Sequence, residues 1–410
     1  MHVLPSVVDT GTRLLAHWQV APCCGNVVKV LHMVHASKPY GSQLQVFDLV
    51  KASDEIEVEP TVLATGMGPF TEMLESHSVR VIGPDQSRNW LNNRGRFQWY
   101  RKWLINRRLV SKWAGHEAVQ EADIVHSHSI IRPFGAMIAE AAQKPHVWHF
   151  HEQAMPHLER PFLKSTSWVR NWIQARTTKA VVPSESLRKW ASKYIEEDKI
   201  AVVANGLVGD AGEFPNTRPL SRTLRPLKIA VVGRMGESKG THDAIRTLGF
   251  LRTAGVDAEV RFVGDAKPEV KREIGRLAGS LGVGKNIFFA GYQTNVGKEL
   301  ARCDIVLMPS HYEAFGRVTV EAMAAGRPVV ATAAGGTLDI VQDGVTGLLR
   351  EPRKPEELAG AILWLLDHPC EAEEMREEAW RSAYENYSRI DFAMKIREVY
   401  DDVLNFSRSV

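Results

Sequence analysis

Residues 309–328 read PSHYEAFGRVTVEAMAAGRP, and the reading of this stretch decides the fold. Asp304 to Met308, just ahead of it, is a short apolar run of the buried-strand type, and the residues after Gly316 carry helical spacing. A strand that passes through a loop into a helix is the repeating unit of a parallel α/β sheet. The helix begins near Gly316, so its free N–H groups and positive dipole end point beyond the strand, at a seat suited to an anion. Glu313 lies in the loop and Glu321 in the helix. Two carboxylates at that separation can accept hydrogen bonds from different parts of one polyhydroxylated ligand, such as a sugar and a ribose. Glu321 could be an ordinary helix-surface carboxylate, but its place between Val320 and the small run Ala322 to Ala325 predicts partial burial, where a carboxylate needs a partner.

The same alternation extends outward in both directions. In the second half, strand-like runs occur at Lys228 to Val232, Glu259 to Val263, Ile287 to Ala290 and Val329 to Thr332. The first half has them at Val27 to Val34, Thr61 to Ala64, Val79 to Ile82, Asp123 to Ser127, His146 to Phe150, Ala180 to Val182 and Ile200 to Val203. Between the halves, Gly209 to Pro226 carries Pro215, Pro219 and Pro226 with no apolar period, and reads as a linker. The expected fold is therefore α/β, two doubly wound Rossmann-like domains facing across a cleft, over residues 1–215 and 227–388. Residues 1–26 form an N-terminal extension without an assigned role. In such sheets ligands sit beyond the carboxyl ends of the strands.

Composition narrows the classes. The 410 residues are 44% hydrophobic, enough for packed cores and against disorder or a disulfide scaffold. A net charge of +3 gives no whole-chain case for nucleic-acid binding. The four cysteines, Cys23, Cys24, Cys303 and Cys370, form no CxxC pair, which fits a reducing compartment. The N-terminal residues lack the pattern of a signal peptide, and no run approaches the roughly 18 apolar residues of a spanning helix. The expected location is cytoplasmic, with a membrane-surface role open.

The loop after Lys228 to Val232 reads Gly233-Arg234-Met235-Gly236-Glu237-Ser238-Lys239-Gly240. Glycine lets backbone approach a ligand, and Arg234 and Lys239 could hold a diphosphate between them; otherwise it is a tight turn with two solvated cations. It is not GxGxxG, which weakens a dinucleotide-oxidoreductase reading. Together these residues resemble a known family. Glu313 to Glu321 is similar to the E-x7-E element of retaining glycosyltransferases of family 4, which have the GT-B fold. The neighbours Gly264-Asp265, Gly335-Gly336, Asp343-Gly344 and Gly347 agree in order and spacing. The resemblance implies a nucleotide-diphosphate-sugar donor as co-substrate, with no cofactor and no metal. Arg234 and Lys239 would stabilise the leaving diphosphate, Glu313 would bind hydroxyls of the transferred sugar, and Glu321 would hold the ribose. Backbone around Gly233, Ala314, Phe315, Gly316 and Arg317 would lie beside sugar and phosphates. The final helix, residues 389–410, would cross back onto the first domain.

In the first half, His126-Ser127-His128 and His149-Phe150-His151 each place two imidazoles on one face of a strand or strand end. Two HxH pairs raise a metal site, and with it a metal-dependent hydrolase. However, there is no HExxH and no carboxylate positioned to complete the set; hydrogen-bonded polar residues at strand ends are the plainer alternative. The family resemblance instead implies that His151 lies next to the reacting sugar, with His128 an acceptor-side candidate. In the register of the family's Gly-Gly pair, Tyr40-Gly41-Ser42-Gln43 retains only Gly41, whose backbone would touch the donor.

One segment stands apart. Arg88 to Trp113 holds eight cations, no carboxylate and four of the eleven tryptophans. At 100° per residue, Trp99, Trp103, Val110 and Trp113 form one stripe, opposite Arg101, Arg108 and Lys112. Such a helix can lie on an anionic membrane, or its tryptophans can pack on their own domain while the cations are solvated. The first case implies a lipid-linked acceptor, as in cell-surface polysaccharide assembly, and a peripheral position on the inner face of the cytoplasmic membrane; a soluble small-molecule acceptor is the alternative. A catalytically silent nucleotide-sugar-binding protein on the same scaffold is a further one.

Overall fold

The computed structural model describes residues 27–35, 37–88, 96–152, 166–209, 220–222 and 226–409. They form two wholly parallel sheets. The first has the order β3-β2-β1-β4-β5-β6-β7, from β1 (Val28–Val34), β2 (Val58–Ala64), β3 (Arg80–Ile82), β4 (Ile124–His128), β5 (His146–His149), β6 (Lys179–Val182) and β7 (Ile200–Val202). The second has the order β10-β9-β8-β11-β12-β13, from β8 (Leu227–Val232), β9 (Ala258–Val263), β10 (Ile287–Gly291), β11 (Ile305–Met308), β12 (Val329–Thr332) and β13 (Leu348–Arg350). In both, the strand order reverses beside the first strand of the half, the switch point at which doubly wound sheets bind ligands.

The central strands are buried along their length because both sheet faces are covered, which is why they read as continuous apolar runs. On the second sheet, Ile245, Leu248, Ile274 and Ile362 pack one face, while Val320, Met323, Ala379 and Ala383 pack the other. On the first, Trp148, Phe150, Trp172 and Trp190 fill one face. The opposite face is closed by the last helix, Arg389–Ser409, whose Phe392, Ile396, Tyr400 and Val403 cluster with Val28, Val30 and Val147.

Two departures have local causes. β2 starts at Val58 rather than Thr61 and so includes Pro60. Pro60 pairs with Val30 on one side, whereas β3 joins the other side only from Thr61, so the missing N–H breaks no ladder there. β13 was not expected, because three residues at a sheet edge are too few for a periodic signal. The stretch Gly209 to Pro226, read as a linker, and the extension 1–26 lie mostly or wholly outside the described residues. No helix among the described residues is long and apolar enough to cross a membrane.

Candidate active site

Steric necessity assembles the donor wall. A Cβ on Gly240, which has φ of +60°, would fall 1.7 Å from the Pro309 carbonyl oxygen. Glycine at this position lets the turn Glu237–Lys239 lie directly against the loop after β11. Lys239 Nζ thereby donates to Glu313 Oε1 at 2.6 Å, and Ser310 Oγ donates to the same oxygen at 2.7 Å. From below, the Gly336 N–H donates to the Glu313 carbonyl at 2.8 Å. A Cβ on Gly335, also at φ of +60°, would sit 1.9 Å from that carbonyl oxygen. Glu313 is thus held at side chain and backbone, and is 9% exposed.

The helix Arg317–Ala324 starts at Gly316, whose φ is +113°. One turn in, Glu321 Oε1 accepts from Arg317 Nε at 3.0 Å. Burial pushes the Glu321 carboxyl above the usual carboxylate range, and the Arg317 guanidinium opposes this. Arg317 also reaches the first domain, where its Nη1 meets Asp48 Oδ2 at 2.9 Å; Arg389 Nε lies 3.3 Å from the other oxygen of Asp48. The halves touch again where Ser184 Oγ donates to the Ala314 carbonyl at 2.6 Å and Tyr292 OH to the Pro39 carbonyl at 2.9 Å.

Between the halves lies a cavity of about 510 Å³. Its second-domain wall includes Gly233, Arg234, Lys239, Glu313, Glu321 and the backbone run from Ala314 to Arg317. Gly41 and His151 face them from the first domain. Arg234 is exposed there. Tyr40, in the place of the family's glycine, meets Tyr292 edge-on at 6.5 Å between ring centres, so the two rings form a rim shared by both domains.

The structure bears on three further readings. His128 does not reach this cavity: it is 2% exposed and lies behind His151, with His128 Nδ1 3.1 Å from His151 Nε2. The HxH pairs do bring together two groups of three imidazoles whose ligand atoms lie within 4.8 Å of one another. Within them His32 Nδ1 lies 3.0 Å from His128 Nε2 and His128 Nδ1 lies 3.1 Å from His151 Nε2, hydrogen-bond distances at which one ring donates and the other accepts, while both nitrogens of His149 lack a partner among the described residues. The tryptophan stripe of the helix Arg96–Ala114 faces inward. Trp103 packs on Trp168 and Trp172 at 6.1 and 5.7 Å, and Trp113 is buried. That face is therefore used by the core and is not free to enter a membrane, while Arg101, Arg108 and Lys112 on the other side remain exposed. The Trp99 side chain lies outside the described residues.

Sequence reasoning also missed residues that line the cavity. Asn205 is buried with Oδ1 unpartnered among the described residues, yet Asn205-Gly206 reads as a turn dipeptide and nothing more. Tyr292 and Gln293 carry no motif at all.

Residues 216–382 match the family described as "Glycosyl transferases group 1", and residues 39–208 match "Glycosyltransferase Family 4". The chain belongs to glycosyltransferase family 4. This glycosyltransferase is similar to the glycogen synthase of Mycobacterium tuberculosis, at 28% identity over 306 residues that cover 72% of this chain and 73% of that one. It is also similar to the D-inositol 3-phosphate glycosyltransferase of Corynebacterium kroppenstedtii, at 31% over 200 residues, 46% of this chain and 43% of that one. Among solved structures, Anabaena HepE in complex with UDP and glucose aligns with a TM-score of 0.74 at 22% identity, covering 92% of this chain and 100% of that chain. That likeness shows the fold, which is GT-B.

Proposed function

We propose that this glycosyltransferase moves a hexosyl group from a UDP- or GDP-linked sugar to an acceptor hydroxyl, with retention of anomeric configuration and without a metal ion. The carrying observation is that Arg234, Lys239, Glu313 and Glu321 line one cavity with Gly41 and His151 of the opposite domain. Arg234, Lys239 and the amides at the start of the helix Arg317–Ala324 supply positive charge for a diphosphate, where a metal would otherwise serve. Glu313 binds hydroxyls of the transferred sugar, Glu321 accepts from the ribose, and His151 lies against the sugar. The anomeric carbon loses its bond to the phosphate oxygen and gains one to the acceptor oxygen, whose proton passes to the departing phosphate. The printed ligands of Anabaena HepE, UDP and glucose, support a donor of this class. The exposed cations Arg101, Arg108 and Lys112 favour an anionic acceptor environment, consistent with a lipid-linked or growing cell-surface polysaccharide at the inner face of the membrane.

Thermal-shift screening against nucleotides and nucleotide sugars, followed by turnover in excess chelator, tests this reading. One nucleotide sugar should stabilise the protein and be consumed, and NMR of the product should show the donor's anomeric configuration. Turnover lost in chelator would overturn the metal-free assignment. Binding that never releases nucleotide would instead make the chain a silent binding protein.

A further inference from the structure

Five imidazoles share one face of the first sheet, and the register explains why. Side chains alternate along a strand, so His126 and His128 point the same way. In the parallel pairing, His32 of β1 stands beside His126, and His149 of β5 beside His128. His151 follows His149 by two residues at the strand end. Three of these rings form a chain: His32 Nδ1 lies 3.0 Å from His128 Nε2, and His128 Nδ1 lies 3.1 Å from His151 Nε2. Ring centres along it are 5.3 and 5.4 Å apart with interplanar angles of 26° and 13°. Those separations are what rings bonded edge to edge, nitrogen to nitrogen, produce. The other two rings lie face-on against the chain, His126 at 4.2 Å from His128 and His149 at 4.1 Å from His151, and so limit rotation of its ring planes.

A neutral imidazole carries one N–H and one lone pair. Burial holds these histidines well below their ordinary range, joined at His128 and His151 by the neighbouring rings, so they are neutral. Both nitrogens of His128 are engaged, which makes the protons along the chain interdependent. If His151 donates from Nε2, His128 accepts at Nδ1 and must donate from Nε2 to His32; His151 then offers a lone pair at Nδ1. If His32 donates from Nδ1, every bond reverses and His151 offers an N–H at Nδ1. We propose that His32 and His128 are positioning residues, forming an imidazole chain that fixes the tautomer of His151 and thereby decides what its free nitrogen presents to the sugar. The functional half of this inference rests on the proposed place of His151 beside the donor sugar; the tautomer half does not.

The test uses the full chain with ring-labelled histidine. In the unsubstituted protein, nitrogen NMR should report a single His151 tautomer. His128→Phe keeps an aromatic ring but removes both bonds, and should give His151 mixed or inverted tautomers, with kcat lower by about ten- to a hundredfold and donor KM within about twofold. His32→Phe should act the same way from the far end of the chain, and serves if His128→Phe does not fold. His149→Phe keeps the face-on contact, and because both nitrogens of His149 lack a partner among the described residues, it should leave tautomer and turnover unchanged. An unaltered His151 tautomer in both His128→Phe and His32→Phe overturns the chain. An altered tautomer with unchanged kcat upholds the chain and removes His151 from the reaction.

Discussion

Lys239 and Glu313 are bonded to each other at 2.6 Å in a site where Glu313 is almost fully buried, so replacing either leaves its partner uncompensated. Glu313→Gln and Lys239→Ala should each lower kcat on the order of 10²- to 10³-fold, the scale of losing one preorganised electrostatic contact. Unchanged rates from both would reject the donor-site assignment. Gly335→Ala introduces a Cβ within bonding distance of the Glu313 carbonyl at a left-handed φ, and should cost about 2 kcal/mol or more of stability while weakening donor binding, read by thermal unfolding and titration with the nucleotide sugar. Glu321 was legible in the sequence because an acidic residue interrupts an apolar and small-residue context, and Glu313 because it stands in the loop after a buried strand, eight residues ahead of Glu321. Asn205 and His32 were not, since their meaning comes from neighbours far along the chain that only sheet register supplies.

The cationic helix Arg96–Ala114 separates what periodicity reveals from what it leaves open. Its stripe of tryptophans follows from spacing alone, but what the stripe packs against is set by Trp168 and Trp172, more than sixty residues away. Trp103→Ala should therefore destabilise the first domain by roughly 3 kcal/mol, as large-to-small changes at packed aromatics do. Glu at Arg101, Arg108 and Lys112 together should move the unfolding midpoint little, because exposed charges contribute little individually. The same triple variant decides the membrane question. Flotation with anionic liposomes should fall in the variant, and equal recovery of both proteins would leave the cations as a solvated face. Strands were readable to within three residues for the same reason the helix was: burial on both faces leaves an apolar run. Pro60 and β13 escaped because a single-sided pairing and a three-residue edge leave no periodic trace.

Across the whole molecule, the buried histidines make the first domain acid-sensitive. His32 and His149 are pushed down to about 3, and His35 and His146 to about 4, from an ordinary 6.5. In each case burial is the largest cause, and protonation favours the unfolded chain. Their contribution is complete above pH 6.5 and declines as pH falls toward 4 and then 3, each by about 1.4 kcal/mol per pH unit within that window. Calorimetry between pH 7 and 5 should show a steep fall in unfolding temperature, with hydrogen exchange appearing first in β1, β4 and β5. A flat profile over that range would mean that the rings are more accessible to protons than their packing indicates. The division into two sheets was visible as a break in grammar near residue 209, whereas the dependence of the first sheet on the last helix came only through the resemblance. That dependence has a consequence for biosynthesis. Tyr400 reaches His126 at 2.7 Å and fills the core beneath β1, β4 and β5, so the half translated first cannot close its own interior. It must wait until the helix Arg389–Ser409 has been made, and a stop before Arg389 would strand Val28, Val30, Ile124 and Val147 without their cover, while Val46, Val50, Phe70 and Leu74 still close the neighbouring part of that face.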